Sequence, residues 1–117
     1  MTVALLAHDL MMASRIATAA DRAGALFTRV DVPADLPPVA TVRLLLVDWA
    51  DRDPDWGDRI AAWCGDAPES ARPRILLFGP HLDLAAHAAA RAAGLGPMRA
   101  RSWLVAELPT LIALSGS

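Results

Sequence analysis

Residues 42–48, Val-Arg-Leu-Leu-Leu-Val-Asp, constrain this chain more than any other stretch. Branched apolar residues follow one another without polar alternation, the pattern of a strand buried on both faces of a parallel sheet. The run stops at an acid, Asp48, and Trp49 follows. In open α/β sheets, functional groups gather at the carboxyl ends of central strands, so Asp48 occupies a candidate site position.

Shorter apolar runs flank it. Residues 2–7 read as a first strand closed by His8 and Asp9, 25–30 as a second, 74–78 as a fourth and 98–100 as a short fifth. Between the first two, Met12, Ile16, Ala19, Ala20 and Ala23 recur at helical spacing. Asp9 is placed to cap that helix and Gly24 to end it. Three prolines within residues 33–38 leave room for at most one helical turn, so a second helix is expected to be short or missing.

Asp53 followed by Pro54 reads as a helix entrance, with Asp53 as N-cap and Pro54 at the first helical position. That helix is expected to run to about Cys64, with Trp56, Ile60 and Trp63 as its core stripe. An Ala-rich helix is expected over 82–93, ended by Gly94. Proline is tolerated in a first helical turn and disruptive further in. The apolar segment from Leu104 to Leu114 reads as the last helix; with Pro109 in its first turn it begins near Ala106 and buries Leu108, Leu111 and Ile112.

Strands alternating with helices point to a parallel sheet covered on both faces, because right-handed crossovers allow little else. The expected fold is a flavodoxin-like, doubly wound, five-stranded sheet in the order 2-1-3-4-5, forming one domain over residues 1–117. This order sets the ends of strands 1 and 3 side by side and brings Asp48 toward Asp9 and His8. Two acids there could hold Mg²⁺ through oxygens, and Asp48 could attack a phosphoryl donor. Acids also end strands and cap helices for structural reasons alone.

Composition narrows the function classes. The chain is 55% hydrophobic and 21% charged, too apolar for disorder, yet no run reaches the roughly 20 apolar residues that cross a bilayer. The net charge of -2 argues against a nucleic-acid surface. The absence of a basic n-region before the first apolar run makes cytoplasmic residence the expectation. A single cysteine, Cys64, has no metal-ligand spacing around it and reads as a half-buried structural thiol. No phosphate-cradling glycine loop is present. His81, in Gly-Pro-His, could reach the same sheet edge but reads as a solvent-exposed loop residue, and His87 reads as a partnerless surface residue. Trp49 and Trp103 both adjoin loops, where exposure would suit partner contacts, although partial burial over the sheet edge is the more common outcome.

Over essentially its whole length the pattern resembles the receiver domain of two-component response regulators. In that family an acidic pair follows strand 1, a phosphorylatable Asp ends strand 3, Thr or Ser ends strand 4, and Lys-Pro follows strand 5. His8-Asp9 falls at the acidic pair, Asp48 at the phosphoacceptor and Gly79 at the hydroxyl residue. The segment Ala93-Gly-Leu-Gly-Pro-Met-Arg-Ala-Arg-Ser-Trp103 is similar to the family's Ala-Gly-Ala stretch leading into Lys-Pro-Phe. Arg101 then stands at the Lys, Ser102 at the Pro and Trp103 at the Phe.

The departures fall at functional positions. One acid of the pair is His8, Gly79 has no hydroxyl, and Met98 stands where the family has a strand-5 aromatic. Arg101 is a planar fork instead of a flexible ammonium. The resemblance implies an atypical or pseudo-receiver, a non-enzymatic signalling protein without an output domain that acts through protein contacts. Asp48 and Arg101 are expected to pair, lowering the Asp48 pKa and filling the place of a metal. The expectation is then no cofactor, or weak Mg²⁺ at Asp9 and Asp48. Partners would be a histidine kinase, another regulator or a second copy, met through a face carrying Arg99 and Trp103. A true phosphorelay receiver with Asp48 as phosphoacceptor and a small flavodoxin-like enzyme or ligand-binding domain are the alternatives. A deep apolar pocket near Asp48 would favour the last.

Overall fold

The computed structural model describes residues 1–115. Five strands, β1 (Thr2–Leu6), β2 (Leu26–Val30), β3 (Val42–Asp48), β4 (Arg74–Phe78) and β5 (Met98–Arg99), form one parallel sheet in the order β2-β1-β3-β4-β5. Helices α1 (Leu10–Arg22) and α4 (Arg101–Ser115) cover one face, and α2 (Trp56–Gly65) and α3 (Leu84–Ala92) cover the other. The expected fold class and strand order are those observed.

β3 is buried on both sides for the reason its sequence gave. Leu44 and Leu46 pack beneath α1 and α4, while Leu45 and Val47 pack beneath α2 and α3, all fully buried. Each such side chain contributes about 1.5–3 kcal/mol relative to exposure, which holds the strand in register. Because alternate residues share a face, Asp48 points to the α1/α4 side with Leu44 and Leu46.

α1 is capped by Asp9, whose Oδ1 accepts the backbone N–H groups of Met11 and Met12, each at 3.0 Å. Met12, Ala13, Ile16 and Ala20 form its buried face; Ala23, expected in the stripe, is the exposed C-cap. Gly24 and Gly94 follow α1 and α3 with φ of 73° and 72°, left-handed values that glycine adopts without Cβ strain.

Between β2 and β3 there is no α-helix. Two 3₁₀ turns, Pro33–Asp35 and Val39–Thr41, and the prolines between them make a strap instead. Pro33 and Val39 are buried beneath it, and the Trp63 indole N–H donates to the Pro37 carbonyl at 2.8 Å. One tryptophan on α2 thus ties down the segment that stands in for the missing helix.

Three expected helix starts are corrected. α2 begins at Trp56, and the Asp53 carbonyl accepts the Trp56 N–H in a turn, so Asp53 is not the cap. α3 begins at Leu84 because Asp83 caps it through the Ala86 N–H. α4 begins at Arg101, five residues before Ala106, and runs through Pro109. An interior proline costs a helix about 3 kcal/mol. The earlier start offsets this by placing Leu104 in the core in line with Leu108, Leu111 and Ile112. Trp49 is buried, and its indole N–H donates to the Ala86 carbonyl at 3.0 Å.

Candidate functional site

The site forms where β1 and β3 end and α4 begins. Asp48, the only polar residue among the buried ones described, caps a 3₁₀ turn (Trp49–Asp51) by accepting the Ala50 N–H on Oδ1 at 3.2 Å. Its Oδ2 accepts from Nη2 of Arg101. The same guanidinium donates through Nη1 to Asp9 Oδ2 at 3.1 Å. It also lies over the Phe78 ring, 5.4 Å from the centroid, in cation–π range. Phe78 is directly opposite Asp48 across the β3–β4 ladder, so the ladder fixes both the acid and the surface on which the guanidinium rests.

Every carboxylate oxygen of Asp9 and Asp48 therefore already accepts at least one N–H. Arg101 is the first residue of α4, where the helix macrodipole disfavours a cation, and the two carboxylates offset that penalty.

The two acids respond oppositely to this environment. Burial pushes the Asp48 carboxyl above its ordinary pKa, and the nearby Asp51 charge adds to the rise. The Arg101 charge and hydrogen bond oppose these effects without reversing them. The expected lowering at Asp48 is thus corrected, because desolvation of a fully buried carboxylate outweighs one partly exposed guanidinium. Asp9 lies below its ordinary value, chiefly through the Met12 N–H bond at the helix cap, with Arg101 a smaller cause.

His8 and Asp9, adjacent in sequence, diverge. The His8 backbone N–H donates to Asp51 Oδ2 at 2.9 Å, its Nε2 lies 3.1 Å from the Asp31 carbonyl, and its ring meets the edge of Trp56. The imidazole thus belongs to the α2 side, away from the guanidinium bridge. Asp51 was not among the expected site residues. Its only sequence signal is its place in the turn after Asp48.

Gly79 follows β4 and donates its N–H to the Arg99 carbonyl at 2.9 Å. A Cβ there would lie 3.0 Å from the Met98 thioether sulfur, closer than such atoms ordinarily approach. Buried Met98 thus occupies the space beside Gly79 that a larger residue would need.

The remaining candidates lie around this edge. His81 is exposed and lines a depression of about 370 Å³ together with Gly79, Arg101 and Ser102. His87 is half-buried and has a partner, the His81 carbonyl at 2.6 Å from Nε2, which corrects the reading of a partnerless surface residue. The Arg99 guanidinium stacks 4.8 Å from the centre of half-buried Trp103. Asp48 lines neither of the depressions that flank Arg101. Cys64 is half-buried on α2. Among the described residues no group of three His, Cys, Asp or Glu is placed to hold a metal, and no helix is long and apolar enough to cross a membrane.

The sequence matches no family model and no curated protein. Among solved structures it is similar to a response regulator from Thermotoga maritima, with 11% identity and a TM-score of 0.65. The likeness covers 96% of this chain and 97% of that one. At that identity the likeness concerns architecture: this chain has the flavodoxin-like fold of a response-regulator receiver.

Proposed function

We propose that the chain is a receiver-like signalling or regulatory protein that works through protein–protein contacts and holds one state without conventional Mg²⁺-dependent phosphorylation. The observation that carries this reading is the Arg101 guanidinium bridging Asp48 and Asp9. Mg²⁺ requires several oxygen ligands in near-octahedral array, and here the oxygens of both acids are committed to N–H donors. His8, at the position of the second acid, has turned to Asp51 and the Asp31 carbonyl. The donor set therefore does not suit the ion.

Signal relay is also removed at its second element. Gly79 carries no hydroxyl to follow a phosphoryl group, and Met98 fills the adjoining space. The contact face in this reading is built from α3, β5 and α4, where Arg99 stacks on Trp103.

Incubation with Mg²⁺ and acetyl phosphate, followed by intact-mass analysis, tests the reading. The expected result is no mass increase and an unchanged amide spectrum. Stoichiometric acid-labile phosphate on Asp48 would overturn it and make the protein a phosphorelay receiver.

A further inference from the structure

The two edges of the sheet are unequal. β5 is two residues long and follows Pro97, so it offers little to pair with. β2 is five residues long, keeps an unbroken register with β1, and contains neither proline nor lysine, the residues that ordinarily keep an edge strand from pairing. Its one charge is turned along its own chain: Nη1 of Arg29 donates to the Ala7 carbonyl at 3.0 Å and to Asp31 Oδ1.

The ladder fixes which backbone groups face outward. The Leu26 N–H donates to the Met1 carbonyl at 3.0 Å, and the Val30 carbonyl accepts from the Ala7 N–H at 3.2 Å. Leu26, Thr28 and Val30 therefore turn their N–H and C=O groups toward β1, and Phe27 and Arg29 turn theirs to the open side. Those outward groups have no partner among the described residues.

The side chains show the same lack of cover. Leu26, Thr28 and Val30 share the face on which the strap replaces a helix. Val30 is buried in the cluster that Leu36 of the strap packs against, whereas Leu26, at the other end of the strand, is 71% exposed.

We propose that β2 pairs antiparallel with β2 of a second copy about a two-fold axis at Thr28, joining two sheets into one. The residues select both the occupant and the register. With Thr28 opposite the partner's Thr28, Phe27 faces the partner's Arg29, and the outward N–H and C=O groups of both strands meet. A register shifted along the strand leaves some of those groups beyond β2, and one such shift sets the two Arg29 side chains directly opposite, a like-charge pair. The symmetric register instead lays each guanidinium beside an aromatic ring and covers Leu26 with the partner's Val30. A lone strand pair is small beside the ~800 Å² per partner of stable interfaces, so the dimer is weak, with a dissociation constant on the order of 0.1 mM.

The test uses the full chain. Sedimentation between about 20 µM and 1 mM should show a growing dimer fraction. Amide hydrogen exchange reads its location: Phe27 and Arg29 should gain protection with concentration, while Thr28, bonded to β1, is protected throughout. Leu26→Lys, at an exposed position, is expected to weaken association by about tenfold. Register is read by crosslinking in a glutathione redox buffer, in a chain carrying Cys64→Ala. Thr28→Cys should give a disulfide-linked dimer, because Cα atoms facing each other at a non-hydrogen-bonded pair are about 4.5 Å apart, within disulfide reach. Leu26→Cys should not, since the two copies of that position lie about 13 Å apart along the strands.

A monomer at about 1 mM, equal crosslinking at both positions, or association that Leu26→Lys leaves unchanged would overturn the proposal. Protection that grows with concentration over α3, β5 and α4 and not over β2 would overturn it too, by moving the contact to the opposite side of the sheet. The measurement needs neither phosphodonor nor Mg²⁺. Its failure therefore leaves the reading of Asp48 untouched, and phosphorylation of Asp48 would leave the β2 pairing untouched.

Discussion

The ends of β1 and β3 each present an aspartate to the same guanidinium, yet the two acids are built for opposite purposes. Asp9 is half-exposed and caps α1, so its charge is stabilised by helix N–H groups before Arg101 contributes. Asp48 is buried at the end of the central strand, where loss of water dominates its titration despite the same partner. The lesson is that a shared ion pair does not equalise its members. Depth in the sheet decides which carboxylate depends on the arginine.

The largest expected break in this comparison is Arg101→Ala. It leaves the Asp48 charge buried without its cation while Asp9 keeps its helix cap. A loss of about 3 kcal/mol at neutral pH is expected, at the low end for a broken buried pair because the guanidinium is partly solvated. The loss should shrink in acid, where Asp48 takes up a proton. Denaturant melts at neutral and acid pH check this, and an equal loss at both would contradict the assigned burial effect.

Next in size is Gly79→Thr, whose Cβ meets the Met98 sulfur; overpacking of this kind costs about 1–3 kcal/mol. Met98→Ala in the same chain should recover part of it. A double-mutant cycle showing no coupling between the two positions would separate Met98 from the site.

The smallest effect concerns pH. The folded Asp48 carboxyl lies above its unfolded value, so the folded state holds a proton that the unfolded chain has released. Its contribution to stability therefore falls as pH rises from the ordinary carboxylate range through the raised value. Asp9 acts in reverse: its contribution is present above the unfolded value and is lost as pH falls through the lowered one. Asp48→Asn should accordingly gain on the unsubstituted protein as pH rises, and Asp9→Asn should lose ground. Melting curves across the acid range that show the two variants moving in the same direction would refute the contrast.

Much of the fold was legible in the chain because β3, β4 and α1 carry local signals that no tertiary contact contradicts. Leu44 to Val47 have no polar face, and Asp9 and Gly24 punctuate α1 with residues chosen for backbone chemistry. The start of α4 was not legible. Pro109 locally argues for a late beginning, and only the core position of Leu104 reveals that packing outweighs it.

The site was legible in outline and illegible in its energetics. Strand order placed Asp9 and Asp48 at one edge, since it sets the ends of β1 and β3 side by side, and the resemblance to receivers brought Arg101 to them. The divergence of His8 from Asp9, the approach of Asp51 and the Phe78 surface under the guanidinium arise from side chains meeting across strands.

By itself the sequence determined a parallel sheet with Asp48 at the end of its central strand, because periodicity and turn chemistry are local and survive any context. The tertiary structure decided that Asp48 is buried beneath Arg101 and titrates upward, and that Met98 fills the space beside Gly79. Each of these depends on distances between residues far apart in the chain, and desolvation and steric exclusion exist only once those distances are set.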